Sequence, residues 1–298
     1  MKPAHKLLLL KIFFLLAPIV LVLGGLHLSS RSIHHQYTLS SLGKEYDLLE
    51  EPFYDIYVKK SDEALGKKYG QFLQSYYLEF LKQFQKDFSL SPYPQKISIH
   101  LLKTRQEFDD YVQGDQRIEL PYSAGYYSPN KRSIVLYIEG QDVFQALIHE
   151  HIHAIFDFSL NLSFDPNFSR CLGEGLACFF ENAISETQDD GYQFFDFEKK
   201  PDSFKVDLLQ QAIHTNLWIP LEDLIASTDS HFTGQTNFFY YYQSELLVYY
   251  LWQTNRKALL KWYQAELSPT PITIYDLRPI FLNLETFEAE WKQFIQKL

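Results

Sequence analysis

The hydrophobic pattern is most informative from Gln141 to Leu160, QDVFQALIHEHIHAIFDFSL. At about 100° per residue, Phe144, Leu147, Ile148, His151, Ala154, Ile155 and Phe158 form one contiguous stripe. His149 and His153 fall on the opposite side, with Asp142, Gln145, Ala146, Ile152 and Phe156. A strand would align all three histidines on one face, but strands rarely exceed about ten residues. The period therefore predicts a helix. Gly140 and Asp142 supply start signals, and Asn161 and Pro166 stop chemistry. Large apolar groups on both faces place this helix between two layers.

Elsewhere the pattern changes from period two to helical spacing as the chain proceeds. The alternation FYDIYV from Phe53 to Val58 predicts a strand. A long helix then opens at Ser61 with Glu63-Ala64 and runs to Phe88, its stripe of Leu65, Tyr69, Phe72, Tyr76, Phe80 and Phe84 reading as core. Lys96 to Leu102 is a second strand, in which His100 reads as structural, and Thr104 begins a short helix through Tyr111. Ser123 to Glu139 is a hairpin turning at Ser128-Pro129-Asn130. Its second arm, Ser133 to Ile138, runs almost directly into the histidine helix, and a strand placed there could present a free edge to an extended peptide.

After a loop from Leu160 to Arg170, Cys171 to Ile184 reads as a helix. Leu172, Leu176, Phe179, Phe180 and Ala183 lie on one side, and Glu174, Glu181, Cys171 and Cys178 on the other. Gln188 to Lys200 reads as loop, followed by helices at Ser203–His214, Leu221–Ser227, Phe238–Thr254, Arg256–Ala265 and Leu284–Leu298. The first half mixes strands and helices, the second is nearly all helical, and no internal repeat is visible. The fold class expected is α+β.

Composition adds bounds. The 298 residues include 25 Phe and 21 Tyr, which favours a packed body over disorder. A net charge of −10 without a basic patch argues against a nucleic-acid partner. Two cysteines exclude a disulfide framework, and seven helical positions, about 10.5 Å, keep Cys171 and Cys178 from bonding each other. Leu7 to Leu26 is apolar apart from Lys11 and follows Lys2 and Lys6. It reads as a signal peptide or a membrane anchor with its basic end inside; without a clear cleavage motif, the anchor is favoured. Residues 27–45, with His34 and His35 exposed, read as a stem. The expected division is 1–26 anchor or signal, 27–45 stem, 46–160 α/β lobe and 161–298 helical lobe, the last two on the extracytoplasmic side.

The chemistry concentrates in His149-Glu150-His151-Ile152-His153. On a helix, His149 and His153 lie on one face beside Glu150, the H-E-x-x-H arrangement in which two imidazoles hold zinc and the carboxylate acts as base. His151 falls in the apolar stripe and reads as a core histidine. A third ligand must come from elsewhere. Ser159 and Phe156 occupy positions where a metzincin needs His and Gly, which removes that class. Asp157 is short and points towards its own turn. Glu174, on the polar side of the next helix, is the expected third ligand.

The order AGYYSPNKRSIVLY, HEHIH, LGEGLACFFE and YYYQSELLVYYL, over residues 124 to 251, resembles the gluzincin metallopeptidases, and more narrowly the bacterial peptidase-MA-like family. The resemblance implies a zincin-like fold of two lobes, in which a mixed lobe carries the active helix and an edge strand and a helical lobe delivers Glu174. It implies a zinc-dependent peptidase acting on peptide or protein substrates, with Glu150 as general base. It also implies an oxyanion donor from the helical lobe, best matched by Tyr241, with Tyr242 and His231 in reserve. The sequence departs from thermolysin-like relatives at Cys178, where an acid often orients the first histidine; support for His149 is thereby put in doubt. Two other functions fit the same letters: a non-catalytic, membrane-anchored binding or assembly protein retaining the fold, and a zinc hydrolase of a non-peptide amide.

Overall fold

The computed structural model describes residues 34–93, 95–116, 120, 123–140, 143–160, 168–187, 193–233, 237–267, 274–281 and 283–298. The apolar N-terminal segment and the predicted cap residues Asp142, Asn161 and Pro166 lie outside these residues. No helix among the described residues is long and apolar enough to cross a membrane.

Five strands form one sheet in the order β1-β2-β3-β5-β4, with β1 Tyr46–Glu50, β2 Tyr54–Lys59, β3 Ile97–Leu102, β4 Gly125–Ser128 and β5 Ser133–Tyr137. β2, β3 and β5 run parallel; β1 and β4 pair antiparallel at the two ends. β5 is therefore interior, and the edge expected next to the histidine helix belongs to the first arm of the hairpin, β4. Helix α2, Glu63–Phe84, covers one sheet face with the predicted aromatic stripe: Tyr69, Phe72, Tyr76, Phe80 and Phe84 are buried. The turn into α4, Val143–Leu160, is made at Gly140, whose φ of +78° is left-handed.

The stem expected over residues 27–45 is corrected where it can be seen. Residues 34–42 are helical, α1, and Leu39 and Leu42 pack against buried Phe108, Val112 and Tyr46. His35, expected in solvent, is half-buried with Nδ1 2.5 Å from the Tyr57 hydroxyl, while His34 is exposed as expected. Packing on α3, Arg105–Gln116, turns a weakly apolar segment into part of the fold.

The second half is built from α5 Arg170–Glu181, α6 Ser203–Ala212, α7 Leu221–Ile225, α8 Asp229–Thr233, α9 Asn237–Thr254, α10 Arg256–Glu266, α11 Ile274–Phe281 and α12 Leu284–Ile295. Between α5 and α6, β7 Gln193–Phe195 falls within the expected loop and pairs antiparallel with β6 Ile184–Thr187, which precedes it. α5 ends at Glu181, three residues before the predicted end at Ile184, because Asn182 caps it and donates Nδ2 to the Cys178 carbonyl at 2.8 Å. One buried apolar cluster runs from Tyr54 on β2 to Ile295 on α12. α4 lies inside it, between sheet and helices, as its two-faced pattern requires.

Candidate metal centre

Helical spacing brings His149 and His153 together on α4. Their Nε2 atoms are 3.3 Å apart. α5 then presents Glu174, whose Oε2 lies 3.1 Å from His149 Nε2 and 3.3 Å from His153 Nε2. Ser169 starts α5 by accepting from the Leu172 amide at 3.3 Å, which sets the turn that aims Glu174 inward. Three donor atoms thus form a nearly equilateral triangle. Zinc bonds of about 2.0–2.1 Å at tetrahedral angles place neighbouring donors about 3.3 Å apart, so the triangle matches one face of such a site. The donor types, two imidazoles and one carboxylate, match as well.

Electrostatics favour a cation there. Burial works against the Glu174 charge, but His153, Arg170 and His149 outweigh it and hold the carboxyl well below the usual range. Arg170 Nη2 binds the other oxygen, Glu174 Oε1, at 2.9 Å, and its Nε lies 2.7 Å from Asp229 on α8. Burial also opposes a charge on His149, yet contacts with Cys178, Glu174 and Glu181 push its pKa well above the ordinary value.

Support for His149, placed in doubt by Cys178, comes from Glu181. Its Oε2 accepts from His149 Nδ1 at 2.6 Å, and Gln145 donates to its Oε1 at 2.9 Å. An ionised carboxylate only accepts, so in the neutral imidazole the proton is held on Nδ1 and the Nε2 lone pair faces the triangle. Glu181 is buried; this raises its pKa, but His149, Lys205 and Gln145 reverse the sign and keep it ionised. Cys178 Sγ stands 3.9 Å from the same Nδ1. Cys171 instead receives the Ser244 hydroxyl at 3.4 Å, away from the triangle.

Glu150 is buried, and burial raises its carboxyl pKa against the pull of His149 and His153. With His149, His153 and Glu174 it lines a cavity of about 1020 Å³. Ala124, Gly125, Tyr126 and Tyr127 of the edge strand and its approach form one wall, and Tyr241 and Tyr242 another. A Cβ on Gly125 would meet the Leu136 Cβ and the Val135 carbonyl of β5 at 2.9 Å, so glycine lets β4 lie this close to β5, with Glu150 Cγ in ordinary contact at 3.6 Å. The Tyr241 ring centroid is 6.1 Å from that of His149. Burial foremost, then the nearby Glu174 charge, keeps its phenol protonated far above the ordinary range. Tyr242 turns its ring to Lys205, 5.4 Å away, and His231 is exposed, bonded to Thr228 and packed on Tyr240. Asp157 is engaged by the Tyr127 hydroxyl at 2.8 Å. His151 is fully buried on the opposite face, its Nε2 shared by the Tyr54 and Tyr93 hydroxyls at 3.0 and 2.8 Å.

Compared with protein-family models and with curated proteins, the chain matches none.

Proposed function

We propose that the chain is a zinc-dependent peptidase of the zincin type, with His149, His153 and Glu174 as ligands and Glu150 as general base. The observation that carries this reading is the triangle of donor atoms with edges of 3.1 to 3.3 Å, open towards a cavity that Glu150 also lines. Zinc, when bound by three protein ligands, lowers the pKa of water at its open position and polarises a carbonyl. Glu150 takes a proton from the attacking water and returns it to the leaving amine. Burial shifts its pKa upward, the direction that helps a carboxylate take up that proton. The Tyr241 phenol, kept protonated by burial and by Glu174, donates to the oxyanion that develops on the substrate. The β4 edge supports a peptide substrate, because an extended chain can add to it alongside Glu150. The apolar run Leu7–Leu26 supports an exported, membrane-tethered location.

Chelator-sensitive cleavage of an unstructured protein, measured alongside metal content, tests the reading. Glu150→Gln is expected to retain stoichiometric zinc and lose cleavage; retained cleavage would remove Glu150 from the mechanism. Glu174→Gln is expected to lower zinc affinity, and unchanged affinity would discard it as a ligand. Zinc bound by wild type without cleavage across a broad peptide library would favour a metal-holding binding protein.

A further inference from the structure

Behind His149, the Glu181 carboxylate is itself held by charges that the proposed chemistry leaves unused. Lys205 on α6 lies 3.5 Å from Glu181 Oε1 and 2.7 Å from Glu245 Oε2 on α9. The Glu245 side chain is fully buried, and its Oε1 accepts from Asn182 Nδ2 at 2.8 Å. Asn182 is the residue that caps α5, immediately after Glu181. Side chains from α5 and α9 thereby converge on one half-buried ammonium from α6, and of these Glu181 touches His149.

Burying an ammonium and two carboxylates is unfavourable as a way of joining helices. Apolar side chains of similar volume would fix α6 to α9 as well or better. What the charges add is orientation. Lys205 gives Glu181 a fixed cationic neighbour on the oxygen away from His149, so the carboxylate is held in one rotamer against Nδ1. The histidine proton then stays on Nδ1 and its Nε2 stays aimed at Glu174 and His153.

We propose that Lys205, backed by Glu245, is a positioning residue for the metal centre, acting on His149 through Glu181. The inference rests on the reading of His149, His153 and Glu174 as ligands, and it does not require that the reaction be peptide cleavage.

Zinc affinity of the full chain by chelator competition, with thermal unfolding of the metal-free protein, tests it. Lys205→Met strands two buried carboxylates, Lys205→Met/Glu245→Leu removes the pair together, and Lys205→Arg keeps the charge. Outer contacts of this kind change metal affinity about 10- to 100-fold. That loss is expected in Lys205→Met and in the double variant, with Lys205→Arg close to wild type and the double variant recovering the unfolding temperature lost by the single one. A stably folded double variant that binds zinc as tightly as wild type would overturn the proposal, since the pair would then only join helices. Should the double variant not fold, equal zinc affinity of Lys205→Met and Lys205→Arg overturns it in the same way. Wild-type protein that binds no zinc removes the ligand set, and this proposal with it.

Discussion

Tyr241 differs from Phe by one hydroxyl, and that hydroxyl is all its proposed role requires. Tyr241→Phe keeps the ring beside His149 and removes the donor. Loss of one oxyanion donor costs about 10²–10³ in kcat. The variant is expected to show that loss with KM little changed, whereas Tyr242→Phe, whose ring faces Lys205, stays near wild type. Equal kinetics of Tyr241→Phe and wild type would end the assignment. At this scale the sequence was most readable where helical geometry fixes side chains to one face: His149, Glu150 and His153 needed only the period of α4, and Glu174 only the polar side of α5. Glu181 was harder. Its place beside Glu174 on that polar side was visible, but an orienting acid was expected four positions after Glu174, where Cys178 stands. Seven positions along a helix return to nearly the same face as four. The longer arm of glutamate then spans the extra turn, and only coordinates show which rotamer closes on Nδ1.

α5 carries the proposed ligand Glu174 and the Glu181 that holds His149, so its seating decides the geometry of the proposed centre. It crosses α9 at Gly175, where an added Cβ would lie 2.6 Å from the Ser244 carbonyl and 2.8 Å from Val248 Cγ2. In an exposed helix, Gly→Ala gains about 1 kcal/mol from propensity. Overpacking against backbone costs about 1–3 kcal/mol and is expected to win here. Gly175→Ala should therefore unfold at lower denaturant than wild type; a raised midpoint would show that the crossing relaxes. Long apolar elements, such as α2, α4 and α9, were legible within a few residues. Those missed owe their order to tertiary contacts. α1 packs Leu39 and Leu42 on α3 and half-buries His35 against Tyr57, a mixed pattern that no hydrophobic period records. β6 and β7 are short and exist through each other, and α11 contains Pro279, an interior helix breaker by propensity.

For the molecule as a whole, buried histidines set a pH limit. His100 on β3 sits between Tyr57 and Tyr111, and burial, aided by Lys131 and His34, depresses its pKa to about 3. The unfolded chain takes up this proton near pH 6.5, the folded chain only near 3. The stability tied to neutral His100 is thus complete above about pH 6.5 and drains as pH falls towards 3. Between pH 7 and 4, wild type should lose on the order of 3 kcal/mol more unfolding free energy than His100→Phe. Parallel pH curves for the two would show that His100 does not titrate on unfolding. His151 belongs to the same class of buried group, with a different consequence. Its bonds to Tyr54 and Tyr93 hold the back of α4 to β2 and to the segment after α2, so the His149/His153 face and the tyrosine face share one rotational setting of the helix. If the proposed centre holds zinc, a saturation survey scored by zinc retention is expected to find Tyr54, Tyr93 and His151 intolerant alongside the proposed ligands. The third histidine of the run would look like a ligand in such data, while its intolerance marks the bearing on which the helix is set.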